Sequence, residues 1–206
     1  MQPINVNMGK GRIEAFSDGV IAIIITIMVL EMKVPGHGHF QLVDLKDMWP
    51  VFISYVMSFV YVGIYWNNHH HMFHAVKSIN GTVLWANLYL LFWLSVVPFV
   101  SAWMGENSFA AVWPVVMYGF VLLMNSIAYF ILVKVLIKHE GKKSPLATAV
   151  GNDKKGKIST LLYVVGIACA WISTYLSFAF YVLVALMWLI PDRRIEKKLA
   201  TDQSVN

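Results

Sequence analysis

The apolar residues of this chain are gathered into long unbroken blocks, and that arrangement limits the fold more than any other feature. Of its 206 residues, 58% are hydrophobic and 13% charged; a soluble domain carries about 25% charged residues. The blocks do not alternate with polar positions at a period of 2 or 3.6, so no face is reserved for water. Such blocks are membrane spans, because a helix needs about 20 apolar residues to cross hydrocarbon. Six are expected, over 12–33, 49–75, 83–103, 109–138, 158–173 and 175–190. The expected fold is thus all-α and integral to the membrane, one six-helix domain over 1–191 followed by a short charged tail over 192–206. The last two spans are short, with a tight Ser173-Thr174-Tyr175 connection. Pro98 and Pro114 fall inside spans 3 and 4, where neighbouring helices satisfy the freed carbonyls.

Charge placement sets the orientation. With both termini, the 2–3 connection and the 4–5 loop on one side, that side holds 14 of the 16 Lys and Arg residues, leaving Lys33 and Lys46 opposite. The positive-inside rule then predicts a multi-pass protein of the cell membrane with both termini in the cytoplasm. The formal charge of +5 is a topology signal, and nucleic-acid binding is excluded. Cys169 is the single cysteine, so no internal disulfide forms. No small-residue cleavage site follows Leu30, which favours a retained first helix over a signal peptide. The 4–5 loop, Lys142 to Lys157, reads as polar, Gly-rich and mobile.

The first span opens with ionisable residues, Arg12-Ile13-Glu14-Ala15-Phe16-Ser17-Asp18. Such groups are costly in a membrane helix and point to a partner or a pathway. One reading makes Ser17-Asp18-Gly19 an N-cap. A helix over 19–33 would rise only about 22 Å against a core of about 30 Å, whereas a start near Arg12 gives about 33 Å. Ser17 and Asp18 are therefore expected within the helix. On the wheel, Ile23, Ile27 and Leu30 form one stripe, with Phe16 and Arg12 within about 20° of Ile23, and Ser17 and Asp18 about 120–140° away. A buried carboxylate must be paired, hydrogen-bonded or neutral. The polar residues at similar depth are Asn67, Asn68, His69, His70, His71 and His74 of span 2 and Asn87 of span 3. Arg12 also reads as a snorkelling anchor.

Arg12-x3-Phe16-Ser17-Asp18 resembles the signature of the lysosomal potassium channel family (transmembrane protein 175) and its bacterial homologues. Trp66-x2-His69-x3-Phe73, Asn87-Leu88-x-Leu90-Leu91-Phe92 and Pro98-Phe99 are similar to that family's second and third helices. The resemblance implies a homotetramer around a central pore lined by helix 1, with no Thr-Val-Gly-Tyr-Gly carbonyl filter. By position it implies that Ile23, Ile27 and Leu30 face the pore, Ile23 at its narrowest ring. Phe16, Ser17 and Asp18 would tie helix 1 to its neighbours, with His69 and Asn87 as partners. An apolar ring gates by dewetting and senses the ease of dehydration, so a weak preference for potassium among monovalent cations is expected. Thr26, about 60° from Ile23, is the one hydroxyl near the stripe. The partners implied are permeating potassium, lipid and copies of the chain, with no cofactor.

A proton- or cation-coupled secondary transporter using Asp18 is the alternative. Transporters commonly carry inverted repeats and broken helices, and neither is evident. No nucleophile–base pair or phosphate loop suggests an enzyme. The run His69-His70-His71 with His74 fans around its helix, whereas a metal needs three or four converging ligands. His37, His39 and His139 lie in loops or at helix ends, which argues against haem.

Overall fold

The computed structural model describes residues 9–33, 42–151 and 153–189, with side chains not described at 42–44. Every regular element among them is helical: α1 (Lys10–Met28), α2 (Trp49–His74), α3 (Gly81–Glu106), α4 (Val112–Glu140), α5 (Pro145–Val150), α6 (Lys154–Cys169) and α7 (Thr174–Leu189). One 3-10 turn, Val29–Glu31, extends α1, and another, Leu42–Met48, leads into α2. The elements beginning with α1 through α4 are long and apolar enough to cross a membrane. The helices α6 and α7 have 16 residues each, a rise of about 24 Å. The expected tail over 192–206, and His37 and His39, lie outside the described residues.

The helix starting at Lys10 carries Ser17 and Asp18 inside it, on its second and third turns. Its last residues tighten to 3-10 geometry instead of continuing as α-helix to 33. The fourth helix begins at Val112, three residues after the expected 109. The reason is the preceding turn, where Ser108 and Phe109 take left-handed φ values of 50° and 58°. Burial of Phe109 against Phe178, ring centroids 4.8 Å apart, offsets a backbone cost of about 1–3 kcal/mol per residue. Pro114 consequently sits in the first turn of α4, where the missing N–H has no carbonyl to lose. Among the described residues, only Pro98 interrupts a helix interior.

The fifth expected span, 158–173, is displaced toward the N-terminus. Asp153 Oδ1 accepts from Gly156 N at 3.0 Å, and this cap lets the first turn form among lysines at Lys154. At the other end, Ile172 N and Ser173 N both donate to Cys169 O at 2.9 Å, closing the helix before the turn to α7. The segment read as a mobile loop holds α5, begun by Ser144 Oγ accepting from Ala147 N at 3.2 Å.

Successive long helices run antiparallel. At one end, Glu140 Oε1 accepts from Lys77 N and Ser78 N, each at 3.1 Å, tying the end of α4 to the α2–α3 turn. Asn80 Oδ1 caps α3 through Val83 N at 3.0 Å. At the other end, Lys33 Nζ meets Glu106 Oε1 at 2.7 Å, joining the chain beyond α1 to the end of α3. The core lies among α2, α3, α4 and α7 and holds hydroxyls as well as hydrocarbon. Ser58 Oγ donates to Ser101 Oγ at 2.8 Å and lies 3.0 Å from Tyr118 Oη. Tyr61 Oη donates to Tyr181 O at 2.5 Å. Buried polar groups of this kind hold helices together only when they are paired.

Candidate functional site

The first helix packs chiefly against α2 and α3, and one arc of it makes those contacts. Ile13, Ser17, Ile21, Ile24 and Met28 are buried, spanning about 80° of the wheel. The opposite arc is open. Ile23 is 57% exposed, Ile27 43%, Leu30 74% and Phe16 53%, and Arg12 and Thr26 are exposed beside them. A groove of about 450 Å³ runs along this arc between α1 and α3, walled by Ile23, Ile27, Pro98 and Phe99 and closed at one end by Glu31.

What fixes the rotation of α1 is a chain of polar side chains from three helices. Asn87 Nδ2 of α3 donates to Ser17 Oγ at 2.8 Å. Asn87 Oδ1 accepts from His69 Nε2 of α2 at 2.7 Å, so in this arrangement the proton sits on Nε2. His69 is stacked on Phe73, centroids 4.4 Å apart. All three polar side chains are buried. Rotating α1 would strand a donor and an acceptor in an apolar interior, at about 1–3 kcal/mol each.

The Asp18 carboxylate takes a different partner from those considered. Trp66 Nε1 of α2 donates to Asp18 Oδ1 at 2.9 Å. The partners expected from sequence are amides and imidazoles, and the indole N–H lies outside that set. The usable signal was spacing: Trp66 lies three residues before His69 and thus near the same face of α2. Asp18 is only half-buried, so one charge-assisted hydrogen bond suffices to hold it.

Other candidate residues are placed as follows. Thr26 Oγ1 donates back to its own helix, 3.0 Å from both Ala22 O and Ile23 O. Its proton is thus committed, and it presents only acceptor lone pairs to the open arc. Phe16 reaches none of the buried chain and stays on the exposed arc with the apolar stripe. His70 stacks between Trp66 and His74, at 6.0 and 6.4 Å, a ring ladder along one helix. Among the described residues no three His, Cys, Asp or Glu side chains come together.

Several long apolar helices, the first keyed into its neighbours by buried polar groups and bare on its other side, define a multi-pass membrane protein. Comparison with known proteins narrows this. A family model described as endosomal/lysosomal potassium channel TMEM175 matches residues 12–98. A potassium channel from Chryseobacterium sp. (strain P1-3) is 55% identical over 192 residues, 93% of this chain and 98% of its own. Another, from Streptomyces collinus (strain DSM 40733 / Tue 365), is 31% identical over 193 residues, 87% and 91% of the two chains. The crystal structure of a lysosomal potassium-selective channel TMEM175 homologue from Chamaesiphon minutus superposes with a TM-score of 0.76 at 31% identity, covering 89% of this chain and 97% of that one. The chain belongs to the TMEM175 family of potassium channels.

Proposed function

We propose that four copies of this chain surround a pore lined by α1, which conducts monovalent cations with a preference for potassium. In this reading Ile23, Ile27 and Leu30 form an apolar constriction, Ile23 at its narrowest, and each copy crosses the membrane six times with both termini in the cytoplasm. The observation that carries it is the split face of α1: a buried polar chain through Ser17 holds one arc, while the apolar stripe on the other stays largely exposed among the described residues. An apolar ring offers no oxygen to replace hydration water, so it is closed by dewetting and opened by a small outward shift. Thr26 adds acceptor lone pairs beside Ile23, the polarity a partly dehydrated cation favours. Selectivity in such a ring follows dehydration cost, which is lower for potassium than for sodium.

The transporter reading is not favoured. Asp18 is held by Trp66 at 2.9 Å, away from the stripe, and its relatives are described as channels. The test is potassium efflux from liposomes carrying the purified protein, with sodium and caesium gradients run in parallel. Flux down each gradient without a pH gradient, largest for potassium over sodium, supports the reading. Flux that requires a proton gradient would overturn it. Cross-linking or mass measurement of the detergent-solubilised particle tests the tetramer separately.

A further inference from the structure

On the side of the subunit remote from α1, the N-terminal half of α6 stands off from α2 and leaves a cleft of about 360 Å³ between α2, α4 and α6. This is within the range of small-molecule sites, about 300–1,000 Å³. It shares no residue with the groove along α1, and nothing in the pore reading uses it. We infer that this cleft binds an organic ammonium ion with an apolar body, through the Asp153 carboxylate and a surround of tyrosine rings.

Tyr61 and Tyr163 form the floor, both buried, with ring centroids 6.4 Å apart. Tyr65 and Tyr129 form the wall, edge to face at 6.0 Å. The hydroxyls of Tyr65 and Tyr129 make no hydrogen bond among the described residues, so they are free to accept or donate to a guest. Asn68 spends its amide nitrogen on Ile64 O at 2.8 Å, which leaves its carbonyl oxygen as an acceptor in the cleft. Asp153 uses Oδ1 to cap α6, and its second oxygen has no such duty. The set is therefore rich in acceptors and π faces. Cations are drawn to ring faces, more strongly as the site is desolvated. Lys157 lines the cleft at its exposed rim, and Lys155 Nζ lies 5.7 Å from the centroid of Trp188, another of its walls, so one ring of this cleft already holds an ammonium. The ammonium is available from two sources, a choline or ethanolamine lipid headgroup and a free organic amine, and the cleft accepts the chemistry they share.

The test is calorimetric titration of the purified full-length channel in detergent with phenyltrimethylammonium, set beside its neutral isostere tert-butylbenzene. Saturable binding of the cation, with the isostere about tenfold weaker, is expected. Asp153→Asn keeps a good helix cap and removes only the charge, so it should fold as the parent does and bind about tenfold more weakly. Tyr129→Leu should weaken binding as well, and Ile23→Asn should leave it unchanged. Competition by short-chain phosphatidylcholine but not by phosphatidylglycerol assigns the headgroup as the source; competition by choline alone assigns a free amine. Equal binding of the isostere, unchanged binding in Asp153→Asn, or loss of binding in Ile23→Asn overturns the assignment. None of these readouts depends on ion flux, so this site and the pore reading stand or fall separately.

Discussion

Asn87 on α3 donates its amide to the Ser17 hydroxyl on α1 across 2.8 Å, with both side chains cut off from solvent. Seventy residues separate them in sequence, and the bond between them sets which arc of α1 is packed and which is open. The same amide accepts from His69 at 2.7 Å, so one asparagine fastens three helices. Polar links between apolar helices contribute about 0.6–2 kcal/mol each, but their directionality specifies rotation, which hydrocarbon packing does only weakly.

Replacing Asn87 by leucine leaves the Ser17 hydroxyl and the His69 N–H buried without partners. A loss of about 2–6 kcal/mol is expected, since each of the two stranded groups costs about 1–3 kcal/mol. Ser17→Ala strands only one amide hydrogen and should cost less than half as much. Thermal unfolding of the detergent-solubilised protein, followed by size-exclusion fluorescence, ranks the two. Equal losses would mean that His69 takes no part in the fastening.

Asp18 and Trp66 form a weaker link, because Trp66 is 43% exposed. Asp18→Asn keeps an acceptor for the indole and should change stability by less than about 1 kcal/mol. Asp18→Ala removes the acceptor and is expected to lower the yield of assembled channel. Comparing the fraction of intact oligomer after mild heating separates the variants; a defect as large in Asn as in Ala would show that charge, not the hydrogen bond, is what matters.

Gly119 of α4 is in closest approach to the ring of Tyr181: a Cβ there would lie 2.0 Å from the tyrosine oxygen and 2.4 Å from Cζ. That oxygen also accepts from Ser177 Oγ at 2.9 Å and donates to Val115 O at 3.3 Å. Gly119→Ala must push the ring aside and break both bonds, and overpacking of this kind costs about 1–3 kcal/mol. Gly63→Ala meets nothing within 4 Å and should be neutral or stabilising by up to about 1 kcal/mol. The contrast is read in the melting temperatures of the two variants.

How far the sequence carries can be judged residue by residue. The helix over Trp49–His74 ends within one residue of the expected 75, because a long apolar block admits few other solutions. Ser17 and Asp18 sit inside α1 because a helix without them would be too short to cross hydrocarbon, a constraint that needs no partner. The N-terminal shift of α6 was hidden because Asp153 caps the helix with its own backbone in the left-handed region, φ 32°, which spacing alone does not announce. The late start of α4 depends on Phe109 meeting Phe178, a contact between distant segments that periodicity does not contain. Trp66 was missed as the partner of Asp18 for the same kind of reason: its indole is apolar by composition and polar only at one atom. The ammonium cleft was illegible because it arises where α6 diverges from α2, a matter of packing.

The measurement that tests the central claim most directly is potassium flux through liposomes carrying Ile23→Asn, with Ile27→Asn and a lipid-side control, Leu161→Asn, beside it. Leu161 is 62% exposed on α6, away from the stripe. If the stripe is the constriction, an amide at Ile23 wets the ring and raises flux by about tenfold, equivalent to about 1.4 kcal/mol off the barrier, with an unchanged melting temperature. Ile27→Asn should raise it less and Leu161→Asn not at all. Unchanged flux in both stripe variants of an active, folded channel would contradict the account and move the pore away from α1.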